Sequence, residues 1–130
     1  MVGCNWKQYT RSILESRGYY IENMASEYLY DFIANGNIKI GVKVSNLYKN
    51  EKTEYHCFEF EEEYHSCDIY ILIALDEFES ALKILIIPSI NLMGQRQLII
   101  KRKSKYDKFD SRFELIKIYD NFYNDLDCVI

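Results

Sequence analysis

No window of this 130-residue chain approaches 18 uninterrupted apolar residues, which excludes a membrane-spanning helix. The first ten residues, MVGCNWKQYT, lack the charged start and apolar run of an export signal, so a cytoplasmic protein with no membrane partner is expected. No CxxC pair occurs among Cys4, Cys57, Cys67 and Cys128, and without an export signal these are expected to be reduced thiols. There is no internal repeat, Gly-rich phosphate loop, Ser-His-Asp set or GxSxG elbow, which sets aside solenoids, P-loop chemistry and serine hydrolases. Positive charge is also short: a net charge of −4 argues against a protein that coats nucleic acid by electrostatics alone.

What is present suits one domain spanning residues 1–130, because a chain with 48% hydrophobic residues can bury a real core. Its charge is unevenly spread. Ten acids stand against Lys52 between Glu51 and Glu79, whereas seven bases face only Asp107 and Asp110 between Arg96 and Arg112. Such polarity would let one edge meet phosphates, and a solvated strand face accounts for it equally well. His56, Cys57, His65 and Cys67 put four zinc-competent side chains close together, but their spacing is not that of two close ligand pairs. Buried cysteines and surface histidines are the expectation there.

The stretch Tyr30 to Ser45, YDFIANGNIKIGVKVS, reads as a β-hairpin. An apolar run meets the turn signal Asn35, Gly36, Asn37, and then Ile38, Ile40, Val42 and Val44 alternate with Lys39, Gly41, Lys43 and Ser45. Turn length decides where Asp31 goes. A two-residue turn would pair Asp31 with Ile40 and put a carboxylate on the apolar face, at a cost of several kcal/mol. A three-residue loop, with Asn37 left-handed, pairs Asp31 with Gly41 and places it on one face with Lys43.

An Asp on one strand followed by an acid, any residue and Lys on the next is the motif of the PD-(D/E)xK nucleases, and this hairpin resembles it. Asp31 matches the first acid and Lys43 the lysine, while Gly41 stands where the second acid belongs. The resemblance implies an α/β, restriction-endonuclease-like fold with a mixed central β-sheet flanked by helices. It also implies a metal-dependent DNA endonuclease using Mg²⁺ or Mn²⁺, and a homodimer by analogy with members that cut both strands. Asp31, Lys43 and Glu15 become the implied catalytic residues, and Asp31, Glu15 and Gly41, through its carbonyl, the implied metal ligands. Glu15 enters because many members carry a further metal-associated Glu on the preceding helix; a solvated helix-surface Glu is the competing reading.

Because magnesium takes hard oxygens, usually one or two carboxylates plus water, Gly41 leaves two explanations open. In one, a carboxylate is relocated from Glu59, Glu61, Glu62 or Glu63. In the other, the fold persists as an inactive module that binds DNA or a protein partner. The plainest alternative is that Asp31 and Lys43 merely form a cross-strand ion pair.

The remaining elements follow from periodicity. Trp6, Tyr9, Ile13 and Leu14 predict a first helix capped near Gly18, and Tyr19 to Met24 a strand. Asn46 to Glu54 reads as turn, Tyr55 to Ser66 as a strand passing into a short helix. The apolar runs 68–75 and Ala81 to Ile87 read as the doubly buried centre of the sheet. Leu98 to Lys103 would be the last strand. Phe113, Ile116, Tyr119, Phe122, Tyr123 and Leu126 predict a C-terminal helix whose aromatics pack in the core.

Overall fold

A computed structural model describes residues 5–129, with side chains up to position 126. Helix α1 (Trp6–Ser16) starts because Asn5 accepts a hydrogen bond from the Gln8 N–H at 3.1 Å, a cap worth about 1 kcal/mol. It stops at Gly18, whose φ of +93° lets the Gly18 and Tyr19 N–H groups bond back to the Glu15 and Leu14 carbonyls. The chain then enters β1 (Ile21–Asn23), and β2 (Phe32–Ala34) and β3 (Ile38–Ser45) form the expected hairpin.

The hairpin register is the one the three-residue loop predicts: Phe32 faces Ile40 and Ala34 faces Ile38. The left-handed residues, however, are Asn35 (φ +52°) and Gly36 (φ +78°), not Asn37. Asn35 takes that conformation because its side chain is fully employed. Its Oδ1 accepts the Tyr20 N–H at 2.9 Å and its Nδ2 donates to Asp120 Oδ1 at 3.0 Å.

After the short strand β4 (Tyr48–Lys49) come β5 (Glu54–Glu59), β6 (Ile69–Leu75), β7 (Ala81–Pro88), β8 (Gln97–Lys101) and helix α2 (Glu114–Val129). The central sheet runs β1-β2-β3-β6-β7 and is mixed, since β3 and β6 are parallel and the other neighbours antiparallel. All seven residues of β6 are buried, as its unbroken apolar run requires. The run in β7 has a different cause: β7 is an edge strand, and only Leu85, Ile86 and Ile87 in it are fully buried. Its free edge is closed where the Ser111 N–H donates to the Ile84 carbonyl and the Ile84 N–H to Asp110 Oδ1.

Both helices lie on one face of this sheet. Leu14, Phe113 and Ile116 pack there against Ile40, Ile71 and Ile86. A second, antiparallel sheet, β4-β5-β8, covers the other face, where Phe58, Leu98 and Ile100 meet Leu72, Leu85 and Ile87. So β8, the last strand as expected, lies in the second sheet, and Tyr48–Lys49, expected as turn, forms part of that sheet too. Within α2, Tyr119 and Tyr123 pack on the core as expected, but Phe122 and Leu126 face solvent. The segment after β5 forms no helix. Its backbone is engaged elsewhere, with the Phe60 N–H donating to the Arg96 carbonyl and the Glu63 carbonyl accepting from the Gly94 N–H.

Candidate active site

Asp31 sits one residue before β2, where the strand is too short to pair with all of β3. Its backbone extends the ladder on both sides: its N–H donates to the Ile40 carbonyl and its carbonyl accepts from Met24, each at 2.9 Å. Beyond that point the Val42 N–H has no strand partner, and Asp31 Oδ2 accepts it at 2.7 Å. The carboxylate therefore substitutes for a missing strand. A charged acceptor here is worth about 1.5–3 kcal/mol, which fixes the side chain in one orientation.

Asp31 and Lys43 line one cleft of about 380 Å³, together with Lys7, Glu61, Tyr28 and Val42. They do not pair with each other. Asp31 Oδ1 meets Lys7 Nζ of α1 at 2.7 Å, and Lys43 Nζ meets both oxygens of Glu61 at 2.7 and 2.9 Å. A simple Asp31–Lys43 ion pair is thus not what holds these side chains. The side chains of Asp31 and Lys43 are 19% and 22% exposed, so both pairs sit at a shielded but open mouth. At Glu61, partial burial pushes the carboxyl pKa up, but the Lys43 hydrogen bond and the nearby Lys43 and Lys7 charges bring it below its ordinary value.

Of Glu59, Glu61, Glu62 and Glu63, Glu61 alone lines this cleft. Glu59 lines a different groove, Glu63 pairs with Arg96, and Glu62 is half-buried with its Oε1 unpartnered. Glu15 is two turns along α1 from Lys7, about 12 Å by helix geometry, where it pairs with Arg11 at 3.2 Å. It does not line the cleft. Lys7 carried no distinguishing signal in the sequence, since nothing there tells which face of α1 meets the end of a strand.

Gly41 has a specific steric cause. A Cβ at this position would lie 2.9 Å from Tyr70 Cε1 and 3.5 Å from Cys67 Sγ. The Tyr70 ring fills the direction in which an acid would project. It is held there by its hydroxyl, which donates to His65 Nδ1 at 2.9 Å, and by Phe60, 4.7 Å away between ring centres. His65 must carry its proton on Nε2, because that nitrogen bonds the Leu92 carbonyl at 2.8 Å. Burial pushes the Cys67 thiol up to about 12 and also raises the Tyr70 phenol.

These contacts also correct the expectation of surface histidines. His56 is buried and bonds the Leu75 carbonyl at 2.7 Å, while His65 is partly buried in the Tyr70 cluster. Cys57 and Cys67 are free thiols; Cys4 and the side chain of Cys128 lie outside the described residues. Among the described residues no three His, Cys, Asp or Glu side chains gather as a metal cluster.

The donor set of the cleft is two carboxylates, Asp31 and Glu61, which matches the one or two that magnesium takes when water completes its shell. Their oxygens are engaged by Lys7, Val42 and Lys43, so an ion would share or displace ammonium groups. No helix among the described residues is long and apolar enough to cross a membrane.

No protein-family model matches the sequence, and no curated protein matches it. Among solved structures, that of a bacterial homing endonuclease, I-Ssp6803I, matches with a TM-score of 0.64. The match covers 93% of this chain and 91% of that one at 15% identity, so the two share a nuclease-like α/β fold.

Proposed function

We propose that this chain is a divalent-metal-dependent DNA endonuclease that hydrolyses phosphodiester bonds in the cleft between α1, β3 and the loop after β5. The observation that carries the reading is the convergence of Asp31, Glu61, Lys43 and Lys7 in one cleft. The fold of a homing endonuclease supports it, and so does the position of Asp31 beside the motif strand.

Glu61 supplies, from the loop after β5, the second carboxylate that Gly41 lacks. The cleft as folded holds two carboxylates and two ammonium groups and is close to neutral, so by itself it attracts a phosphodiester weakly. Mg²⁺ or Mn²⁺ held by Asp31 and Glu61 would add two positive charges, polarise a phosphoryl oxygen and acidify a bound water. Lys43, with its ammonium already in the cleft, exchanges Glu61 for the incoming phosphate and steadies the charge that develops on it. Lys7 does the same from the α1 side. The Val42 hydrogen bond keeps Asp31 aimed while its cation partner changes.

A second reading, an inactive nuclease-fold module that binds DNA, is favoured by one observation: Tyr70 fills the motif acid's position and the lysines neutralise both carboxylates. Calorimetric titration with Mg²⁺ and Mn²⁺ of the wild type, Asp31→Ala and Glu61→Gln separates the two. Metal binding that is lost in both variants, with cleavage of linear or branched DNA lost in parallel, supports the enzyme. Absence of metal binding to the wild type leaves the inactive module.

A further inference from the structure

The outer face of the β4-β5-β8 sheet carries a groove of about 570 Å³, within the range of about 300–1,000 Å³ of pockets that take small molecules. Lys43 lines both this groove and the candidate cleft, so the two adjoin at that side chain. The outward face of an antiparallel sheet is ordinarily polar. Here it presents Tyr48 and Ile99 at 45% and 52% exposure, and Val44 of the neighbouring β3, 41% exposed, also lines the groove. Tyr48 and Tyr55 face each other across β4 and β5, with ring centres 5.6 Å apart and planes 27° from parallel. The two stacked rings make an aromatic platform in which Tyr48 is exposed and Tyr55 partly so.

Charge is arranged around the platform. Lys101 lies directly across from Tyr55 on β8, exposed and with no ion pair among the described residues, and Lys43 lies at the cleft end. Glu59 lies opposite Gln97 at the other end of β5 and would repel a phosphate there. Cations beside an aromatic platform are the combination that binds single-stranded nucleic acid, because every base has a π-face and every link a phosphate. A base inside a duplex is covered on both faces and cannot use the platform.

We infer that this groove receives an unpaired base of a DNA strand whose backbone continues past Lys43 into the cleft, so that the substrate is single-stranded or locally opened at the site of attack. This rests on the endonuclease reading and adds its substrate class.

The test is fluorescence anisotropy, with metal chelated, of a labelled oligothymidylate of about twelve nucleotides and of a duplex of equal length. The wild type is expected to prefer the single strand. Tyr55→Ala should weaken that binding by about tenfold to hundredfold and leave duplex binding unchanged, whereas Tyr55→Phe, which keeps the ring, should retain it. Tyr48→Ala, on the short edge strand, removes the other half of the platform with less risk to the fold and should show the same selective loss. Equal affinity for strand and duplex, or unchanged binding by both alanine variants, overturns the inference. Because binding is read without cleavage, the two readings fail separately. Tyrosine-dependent strand binding with no cleavage of any DNA in Mg²⁺ or Mn²⁺ removes the enzyme alone. Undiminished cleavage of continuous duplex by Tyr48→Ala removes the platform alone.

Discussion

Gly41→Ala adds one methyl group at the point where the nuclease motif has an acid, and the structure sets its cost. The new Cβ would stand 2.9 and 3.0 Å from two ring atoms of Tyr70, where unstrained carbon contacts lie at about 3.5–4.0 Å. The ring cannot swing freely, because Tyr70 is 3% exposed and its hydroxyl is bonded to His65. Overpacking of this kind costs about 1–3 kcal/mol, and a strained hydroxyl bond adds roughly 0.5–1.5 kcal/mol. Against this, alanine restricts the unfolded chain and recovers roughly 0.4–1 kcal/mol. The net destabilisation is about 0.5–4 kcal/mol, or a fall in Tm of about 2–13 °C. Urea unfolding of the wild type, Gly41→Ala, Tyr70→Leu and the double variant measures it. Removing the ring should relieve the clash, so the alanine should cost at least ~0.5 kcal/mol less in the Tyr70→Leu background than in the wild type. An alanine variant as stable as the wild type, or equal costs in the two backgrounds, would refute the argument. By the same reasoning Gly41→Glu, which restores the motif on paper, should lower stability rather than create an active site.

Other perturbations test separate parts of the structure. Asp31→Ala should destabilise by about 1–3 kcal/mol in chemical denaturation, because it orphans the Val42 N–H, and Asp31→Asn by less, because an amide oxygen can still accept it. Asn35→Gly keeps the left-handed turn but loses the bonds to Tyr20 and Asp120, for about 1–3 kcal/mol, and Asn35→Ala should cost about 1 kcal/mol more through backbone strain. Glu61 has a folded pKa below its ordinary 4.5, so its ion pair contributes above that value and is lost as pH falls through the folded one. Stability measured against pH should therefore fall less steeply below 4.5 in Glu61→Gln than in the wild type, by a modest amount because the side chain is half exposed. Cys67, buried and with its pKa pushed up to about 12, should resist a thiol reagent at neutral pH until the protein unfolds, while the partly exposed Cys57 reacts before it, as peptide mass spectrometry would show.

Local order was written in the sequence. The period-two alternation after Asn37 and the three-residue turn fixed the hairpin register, and that register put Phe32 opposite Ile40, so that Asp31 follows at the end of the ladder beside β3 without any long-range information. The unbroken apolar run of β6 likewise implied burial on both faces. A similar run in β7 could not reveal an edge strand, because burial there comes from residues 110 and 111 and from a second sheet far along the chain. The same holds for charge pairing. Asp31 and Lys43 share a cleft, as their strand positions require, but which cation meets which carboxylate was decided by Lys7 from α1 and Glu61 from an irregular loop. Glu59, Glu61, Glu62 and Glu63 were indistinguishable in the sequence, since β5 ends at Glu59 and the irregular loop after it has no period to aim its side chains. Gly41 had a reason only once β6 lay beside β3, because the Tyr70 ring that takes the missing side chain's place lies 29 residues away in the chain and opposite it in the sheet.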